Sequence, residues 1–231
     1  MKAIIFDFDG LMIDTESVWY VCFKEVLAVY GLELTLEQFS KGVGTTGSSL
    51  YDYLEQNLSH PVPREEIKRA ASQLFPVKMG EPLLRDGVKS YLREAKEMGL
   101  GIGLASSSSY EWVVGYLKRL EVFDYFDVIK TRNDVKNVKP DPELYRKALE
   151  ALSVLPHEAI AFEDSFHGLA AAKACGIPCV VVPNNSTAHL DFTGAAYHLT
   201  SMSELGLKSV IEIVGACHHP NFVEGSFGKT F

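Results

Sequence analysis

Two aspartates near the start of the chain have the spacing of a catalytic pair. The apolar run from Ala3 to Phe6 has the length and composition of a buried strand, and Asp7 and Asp9 follow it, just before Gly10. Residues two apart in a strand project from the same face, so we expect both carboxylates to lie together where the strand ends. Two adjacent carboxylates repel each other unless a cation lies between them or one keeps a proton. The pair therefore indicates a site for a divalent metal and a phosphate, and two solvated surface acids are the simpler alternative.

Four further polar residues lie at the ends of predicted strands or before predicted helices. Ser106 comes directly after one apolar strand, and Glu163 and Asp164 follow another. Lys139 lies in the segment Lys139-Pro140-Asp141-Pro142, just before the start of a helix. In open α/β sheets these positions converge on one crevice. Several polar residues at one edge of the sheet favour a ligand-binding site over polar residues that only face solvent.

Each of these residue types has a role in phosphoryl transfer. Asp7 can act as a nucleophile and form an aspartyl-phosphate, and Asp9 can protonate the leaving oxygen and later take a proton from water. Ser106 can donate a hydrogen bond to a phosphoryl oxygen, aided by the amides that open the next helix. Lys139 offsets the charge of the carboxylate and the phosphate. Phosphoryl transfer needs mainly positioning and charge stabilisation, and this set offers both.

Magnesium is the expected cofactor. Carboxylate oxygens are the hard ligands that suit Mg²⁺, so Asp7, Asp164 and a backbone carbonyl can hold the ion with water completing its shell. Glu163 is either a further ligand or a support behind the ligands. The pair His218-His219 in the tail has no third ligand nearby in sequence, and we expect no metal site there.

The elements that position these residues follow from the spacing of apolar side chains. Short apolar runs alternate with longer helical segments, which indicates parallel βαβ units. The predicted strands span residues 3–6, 101–105, 126–130, 159–162, 179–182 and 197–199. The predicted helices span residues 17–30, 35 onward, 48–58, 64–79 with an interruption near Pro76, 87–98, 110–120, 142–152, 165–175 and 205–214. The tail from residue 217 has no periodicity, and we expect it to be irregular.

The order of these elements predicts an α/β fold with an insertion. The stretch 15–83 has helical segments and no predicted strand, whereas strands and helices alternate in the rest of the chain. We predict a doubly wound (Rossmann-like) parallel sheet as the core domain, formed by residues 1–14 and 84–231, and an inserted α-helical cap domain at 15–83. Linkers near Asp14-Thr15 and from Pro82 to Asp86 would act as hinges. An insertion of this size indicates a lid that encloses a substrate.

Composition limits the partners that the chain can have. Its 231 residues are 47% hydrophobic and 23% charged, and the net charge of −8 argues against nucleic acid or an anionic membrane. No apolar run has the ~18 residues of a membrane span, and the N-terminus lacks the pattern of a signal peptide. We therefore expect a cytoplasmic protein, and no protein partner can be inferred. The four cysteines form no CxxC pair and are expected to be reduced thiols: Cys22, Cys175, Cys179 and Cys217.

Four segments together resemble the haloacid dehalogenase-like (HAD) hydrolase superfamily, in its branch with a helical cap. They are Asp7-Phe8-Asp9-Gly10, Ser106 after an apolar strand, Lys139 in Lys-Pro-Asp-Pro, and Glu163-Asp164-Ser165 followed by Gly168. The resemblance covers nearly the whole chain. It implies that Asp7 is the nucleophile and Asp9 the acid/base, and that Mg²⁺ binds Asp7, the carbonyl of Asp9 and Asp164. An acid at position 9 implies phosphate ester hydrolysis or transfer rather than dehalogenation or phosphonate cleavage.

The cap residues distinguish two activities within this superfamily. A mutase that isomerises β-glucose 1-phosphate is similar in layout, but it has a histidine where this chain has Trp19 and an arginine where this chain has Thr45. An arginine would hold a second phosphate with two hydrogen bonds. The predicted function is therefore a phosphatase acting on a sugar phosphate or a similar metabolite, and the phosphomutase is the alternative. The predicted substrate-binding residues are Thr15, Trp19, Lys41, Gly42, Lys78 and Ser107.

Two other classes of protein compete with this interpretation. A signalling receiver also has a phosphorylatable aspartate on a parallel sheet, but it would have no helical insertion after the first strand. A family member that binds phosphates without turnover would lack part of the catalytic set, and all of it is present here. Tyr110 and Trp112 are predicted to pack rather than to act in the site.

Overall fold

The computed structural model of the chain describes residues 1–45, 48–58 and 62–217. The histidine pair and the rest of the tail predicted to be irregular, residues 218–231, lie outside the described residues. Cys22, Cys175 and Cys179 are free thiols, as predicted. No helix within the described ranges combines the length and apolar character that crossing a membrane requires.

Six parallel strands form the sheet that carries the site. Their order is β3-β2-β1-β4-β5-β6, so the chain builds outward from β1 in one direction and then in the other. This confirms the doubly wound α/β fold, with its crevice at the carboxyl end of the central strand. The strands are β1 (Ala3–Phe6), β2 (Gly101–Ala105), β3 (Val128–Lys130), β4 (Ala159–Glu163), β5 (Cys179–Val181) and β6 (Tyr197–His198).

Helices cover both faces of the sheet because β1 is apolar on both sides. Ile4 and Phe6 pack in the cluster that includes α5, α6 and α9, whereas Ala3 and Ile5 pack in the cluster of α7 and α8. These helices are α5 (Val88–Glu97), α6 (Tyr110–Arg119), α7 (Glu143–Leu152), α8 (Phe166–Ala174) and α9 (Leu207–Cys217).

Of the five helices that the described residues form between β1 and β2, the first four make up a separate layer, which we call the helical insert (residues 15–79). They are α1 (Thr15–Val29), α2 (Leu36–Ser40), α3 (Ser48–Asn57) and α4 (Arg64–Met79). The insert has its own apolar cluster, centred on residues such as Phe23, Leu54 and Phe75. Asp14 caps α1 by accepting a hydrogen bond from the Ser17 amide at 3.1 Å.

Helix α4 corrects one prediction. The sequence predicted an interruption near Pro76, but α4 continues through this residue to Met79. Pro76 lies near the C-terminal end of the helix, where losing one amide donor costs a single hydrogen bond without ending the helix. Packing of Phe75 in the insert cluster, where it is 3% exposed, holds the last turn in place.

Candidate active site

A buried lysine links two acids at the end of β1. Asp7 follows β1 and is 5% exposed, and Lys139, at 1% exposed, donates to its carboxylate. The same ammonium donates to Glu163 Oε1 at 2.6 Å. The ring of Tyr145 lies beneath the ammonium, with 5.1 Å from Nζ to the ring centroid. The structure thus brings Asp7, Lys139 and Glu163 together, although they lie far apart in the sequence.

Both carboxylate oxygens of Glu163 accept hydrogen bonds from other side chains. Its Oε1 accepts from Lys139 and from the Tyr145 hydroxyl, both at 2.6 Å, and its Oε2 accepts from Ser165 Oγ at 3.3 Å. A Cβ at Gly168 would come within 2.1 Å of this carboxylate, so position 168 has room only for glycine. These contacts favour Glu163 as a support behind the ligands rather than as a direct ligand.

Asp164 has the free oxygen that a metal ion needs. Its Oδ2 accepts from Asn184 Nδ2 at 2.7 Å, but its buried Oδ1 has no hydrogen-bond partner among the described residues. Oxygens of Asp7, Glu163 and Asp164 lie within 4.8 Å of one another. An unpartnered buried carboxylate oxygen beside other acids fits a hard divalent cation such as Mg²⁺.

The electrostatics of this cluster also fit a cation. Burial raises the pKa of Asp7 to about 8 against the opposing effect of Lys139, and the charge of Glu163 adds to the rise. Burial and the charges of Asp7 and Glu163 raise the pKa of Asp164 well above its usual range. Burial alone would lower the pKa of Lys139, but the two carboxylates raise it above its ordinary value. Without a cation the aspartates therefore tend to keep protons, which a divalent ion would replace.

Asp9 points away from this cluster and towards the helical insert. Its Oδ1 accepts from the Thr15 hydroxyl at 2.8 Å and from the Trp112 indole N–H at 2.9 Å. Its Oδ2 accepts from Ser108 Oγ at 2.6 Å. The prediction that Trp112 only packs is wrong, because its indole nitrogen contacts this carboxylate. Three donors fix the orientation of Asp9, as a group that transfers protons requires.

The loop after β2 brings hydroxyls to the site. Ser106 is 1% exposed, and its Oγ accepts from the Ser108 amide at 3.0 Å. Ser107 Oγ donates to the carbonyl of Gly44 in the insert at 2.9 Å. Ser109 caps α6 by accepting from the Trp112 amide at 3.3 Å. The loop therefore faces both the end of β1 and the insert.

A cavity of about 570 Å³ lies between this loop and the insert. Its lining combines Asp9 and three serines of the β2 loop with an aromatic wall from the insert. Of the predicted substrate-binding residues, Trp19, Gly42 and Ser107 line it, and Thr15 lies behind Asp9. The lining includes Asp9, Glu16, Trp19, Phe75, Ser108 and Trp112.

The two lysines of the insert that are predicted to bind substrate lie outside the cavity lining. Lys78 Nζ contacts Glu25 Oε1 at 2.6 Å, and Lys41 Nζ lies 4.0 Å from Glu37 with its side chain 63% exposed. Neither lysine is among the residues that line the cavity. The cations that do line it are Lys68 and Arg132, which the sequence did not single out.

Glu16 is an acid inside the cavity with no hydrogen-bond partner among the residues described. Burial raises its pKa to about 8, and the charges of Asp9, Asp7 and Asp14 add to the rise. In the folded state the Glu16 carboxyl therefore holds its proton more tightly than in the unfolded chain, where its pKa is near 4.5. We therefore expect Glu16 to lower the stability of the wild-type protein as the pH rises from about 4.5 through about 8.

Glu16→Gln should remove the loss of stability that Glu16 causes at high pH. We expect the variant to exceed the wild type by about 1–3 kcal/mol in free energy of unfolding at pH 9, and to match it at pH 4.5. Urea denaturation at both pH values measures the difference. Glu97→Gln is the surface control, since the Glu97 side chain is 66% exposed. An equal gain at the two pH values would contradict the explanation.

Arg85 anchors the segment that leads from the helical insert back to the core. Its guanidinium donates to the carbonyls of Gly10, Val182 (3.1 Å) and Pro183 (2.7 Å), and its amide donates to the Met12 carbonyl at 2.8 Å. The Gly10 carbonyl also accepts from Asn184 at 3.1 Å. Arg85 and Asn184 thus join the turn after β1 to the loop after β5.

Comparisons with known proteins agree with this fold. The family profile of haloacid dehalogenase-like hydrolases matches residues 4–182. The protein YhcW of Bacillus subtilis (strain 168) is 44% identical over 92% of this chain and 97% of its own. The phosphorylated carbohydrates phosphatase of Thermotoga maritima is 33% identical over 77% of this chain and 82% of its own. A crystal structure of β-phosphoglucomutase from Clostridium difficile has a TM-score of 0.76 at 25% identity, covering 94% and 98% of the two chains.

The doubly wound sheet and its acidic crevice define a class of α/β enzymes that work at the carboxyl ends of parallel strands. Within that class, the chain belongs to the haloacid dehalogenase-like hydrolase family. It is a hydrolase of the type that acts on phosphate esters.

Proposed function

We propose that the protein is a Mg²⁺-dependent phosphatase that hydrolyses a small phosphate monoester, with sugar phosphates as the substrate class. The observation that carries the proposal is the buried group of Asp7, Lys139 and Asp164, with the unpartnered Oδ1 of Asp164 beside Asp7. The relative that acts on phosphorylated carbohydrates supports the substrate class. Asp7, Asp164 and the backbone carbonyl of Asp9 would hold Mg²⁺, which when bound would offset the charge of the phosphoryl group.

The residues divide the reaction into two balanced steps. An oxygen of Asp7 attacks phosphorus, the ester P–O bond breaks, and the leaving oxygen takes the proton of Asp9. Water then attacks the aspartyl-phosphate, Asp9 takes the proton of the water, and inorganic phosphate leaves with Asp7 restored. Lys139 keeps Asp7 aligned, and Ser106 donates to a phosphoryl oxygen. The helical insert acts as a cap that shields both steps from bulk water.

Phosphate release should require a divalent cation. We expect the protein to release phosphate from at least one member of a panel of sugar phosphates, phosphoglycolate and p-nitrophenyl phosphate when Mg²⁺ is present. A chelator should stop the release, and added Mg²⁺ should restore it, because the acids otherwise keep their protons. Release that continues undiminished in the chelator would contradict the proposed cofactor.

A phosphomutase is the second candidate. The structural match to β-phosphoglucomutase favours it. Against it, Trp19 and Thr45 line the cavity where the resemblance would place a histidine and an arginine. Conversion of β-glucose 1-phosphate to glucose 6-phosphate without net phosphate release would establish the mutase and displace the phosphatase.

A further inference from the structure

Trp112 joins the proposed acid/base to the helical insert. At one end, its indole N–H donates to Asp9 Oδ1 at 2.9 Å. At the other, its ring lies 6.2 Å from the ring of Trp19 and 5.3 Å from that of Phe75, both in the insert. Trp112 itself belongs to α6 of the core, where Tyr116 contacts it edge-on at 4.9 Å. One side chain thus contacts Asp9 and the wall of the cap at the same time.

The hydrogen bond from Trp112 is one of those that set the orientation of Asp9. A proton-transferring carboxylate works only when it faces the leaving oxygen, and a hydrogen bond from a fixed donor restricts its rotation. Thr15 donates from the first turn of the insert, and Ser108 from the core loop. Trp112 differs from both because it lies on a core helix and packs against rings of the insert. If the insert moves away, the indole loses the contacts with Trp19 and Phe75 that hold it against Asp9.

We propose that Trp112 is a positioning residue that ties the orientation of Asp9 to closure of the insert. The proposal rests on the role of Asp9 under Proposed function. Through this bond the acid is aligned when the cavity is closed, and it loses the indole donor when the insert moves away. Proton transfer is therefore coupled to the exclusion of water.

Trp112→Phe tests the link because it keeps an aromatic ring and removes the N–H. Phenyl phosphate and p-nitrophenyl phosphate serve as probes of similar size, and phenol is the leaving group that needs the proton more. We expect kcat/KM, which reports transfer to Asp7, to fall about tenfold for phenyl phosphate and less than about threefold for p-nitrophenyl phosphate. Tyr110→Phe, on the exposed side of the same helix, is the control and should change neither value. An equal fall with both probes would reduce Trp112 to a packing residue and overturn the proposal.

Two further variants separate this inference from the function on which it rests. Asp7→Asn tests the phosphatase itself, and activity there would overturn the function. If Asp7→Asn is inactive but Trp112→Phe affects both probes equally, only the inference fails. In an Asp9→Asn background, Trp112→Phe should cause no further loss with phenyl phosphate, because the indole acts through Asp9. A full additional loss would contradict the proposal.

Fluorescence gives a readout that does not depend on turnover. The chain has two tryptophans, so Trp19→Phe leaves Trp112 as the sole emitter. Introducing Asp9→Asn into that protein should shift the emission maximum, because it changes the acceptor at the indole nitrogen. Identical spectra would mean that the indole does not sense the charge at position 9, and the proposal would then fail even if Trp112→Phe does not fold.

Discussion

Asp7→Asn is expected to abolish phosphate release, with a loss of about 10⁴-fold or more. An asparagine amide has nearly the same shape as the carboxylate, but it cannot form the acyl-phosphate bond. The Lys139 ammonium can still donate to the amide oxygen, so the local packing is retained. The fold should be as stable as the wild type or more so, because the variant no longer has an ionisable group whose pKa burial raises to about 8.

The measurement is phosphate release at saturating substrate, together with thermal unfolding of the same preparation. Asp52→Asn is a matched control on the insert, where Asp52 is exposed and lies 3.3 Å from Arg64. That change should leave turnover unchanged and stability within about 1 kcal/mol. Normal turnover by Asp7→Asn would refute the proposed nucleophile and, with it, the aspartyl-phosphate.

Lys139→Met should damage both stability and activity. Lys139 is 1% exposed and lies between the carboxylates of Asp7 and Glu163. Without the ammonium, two buried acids are left facing each other, and breaking a buried ion pair in this way costs about 3–5 kcal/mol. Activity should fall about 100-fold or more, because Asp7 loses the cation that aligns it and opposes the rise of its pKa.

A second change separates the two effects of Lys139. Adding Glu163→Gln to Lys139→Met removes one of the unpaired charges and should recover part of the lost stability, but not the activity. Lys96→Met is the surface control: Lys96 contacts Asp127 at 2.8 Å with its side chain 38% exposed, and its loss should cost about 1 kcal/mol or less. A Lys139→Met protein as stable as the wild type would contradict this account of the ion pair.

The parts of the site that follow strands could be predicted from the sequence. Parallel strands end at one edge of the sheet, so recognising the strand that precedes each residue is enough to bring Asp7, Ser106 and Asp164 together. Lys139 could be placed by its position before a helix and by its motif. The structure places Asp7 and Asp164 in one buried cluster, and Lys139 donates a hydrogen bond to Asp7.

The supporting residues could not be found in the same way. Tyr145 lies on the apolar side of an amphipathic helix, where an aromatic residue indicates only packing, and its hydroxyl meets Glu163 across 18 residues of sequence. Asn184 lies in an irregular loop and reaches Asp164 from 20 residues away. Trp112 is 103 residues from Asp9. Periodicity indicates which side of a helix is buried, but not which polar atom of a distant segment the side chain meets.

The anchoring of Arg85 has a consequence for movement of the insert. Arg85 fixes the segment after the insert to the turn after β1 and to the loop after β5. We therefore expect any movement of the insert to hinge before Arg85, in residues 80–84, and at Asp14-Thr15. Every acid proposed to hold the cation lies on the core side of those points. We therefore expect the residues that would hold the cation to keep their arrangement while the cavity opens and closes.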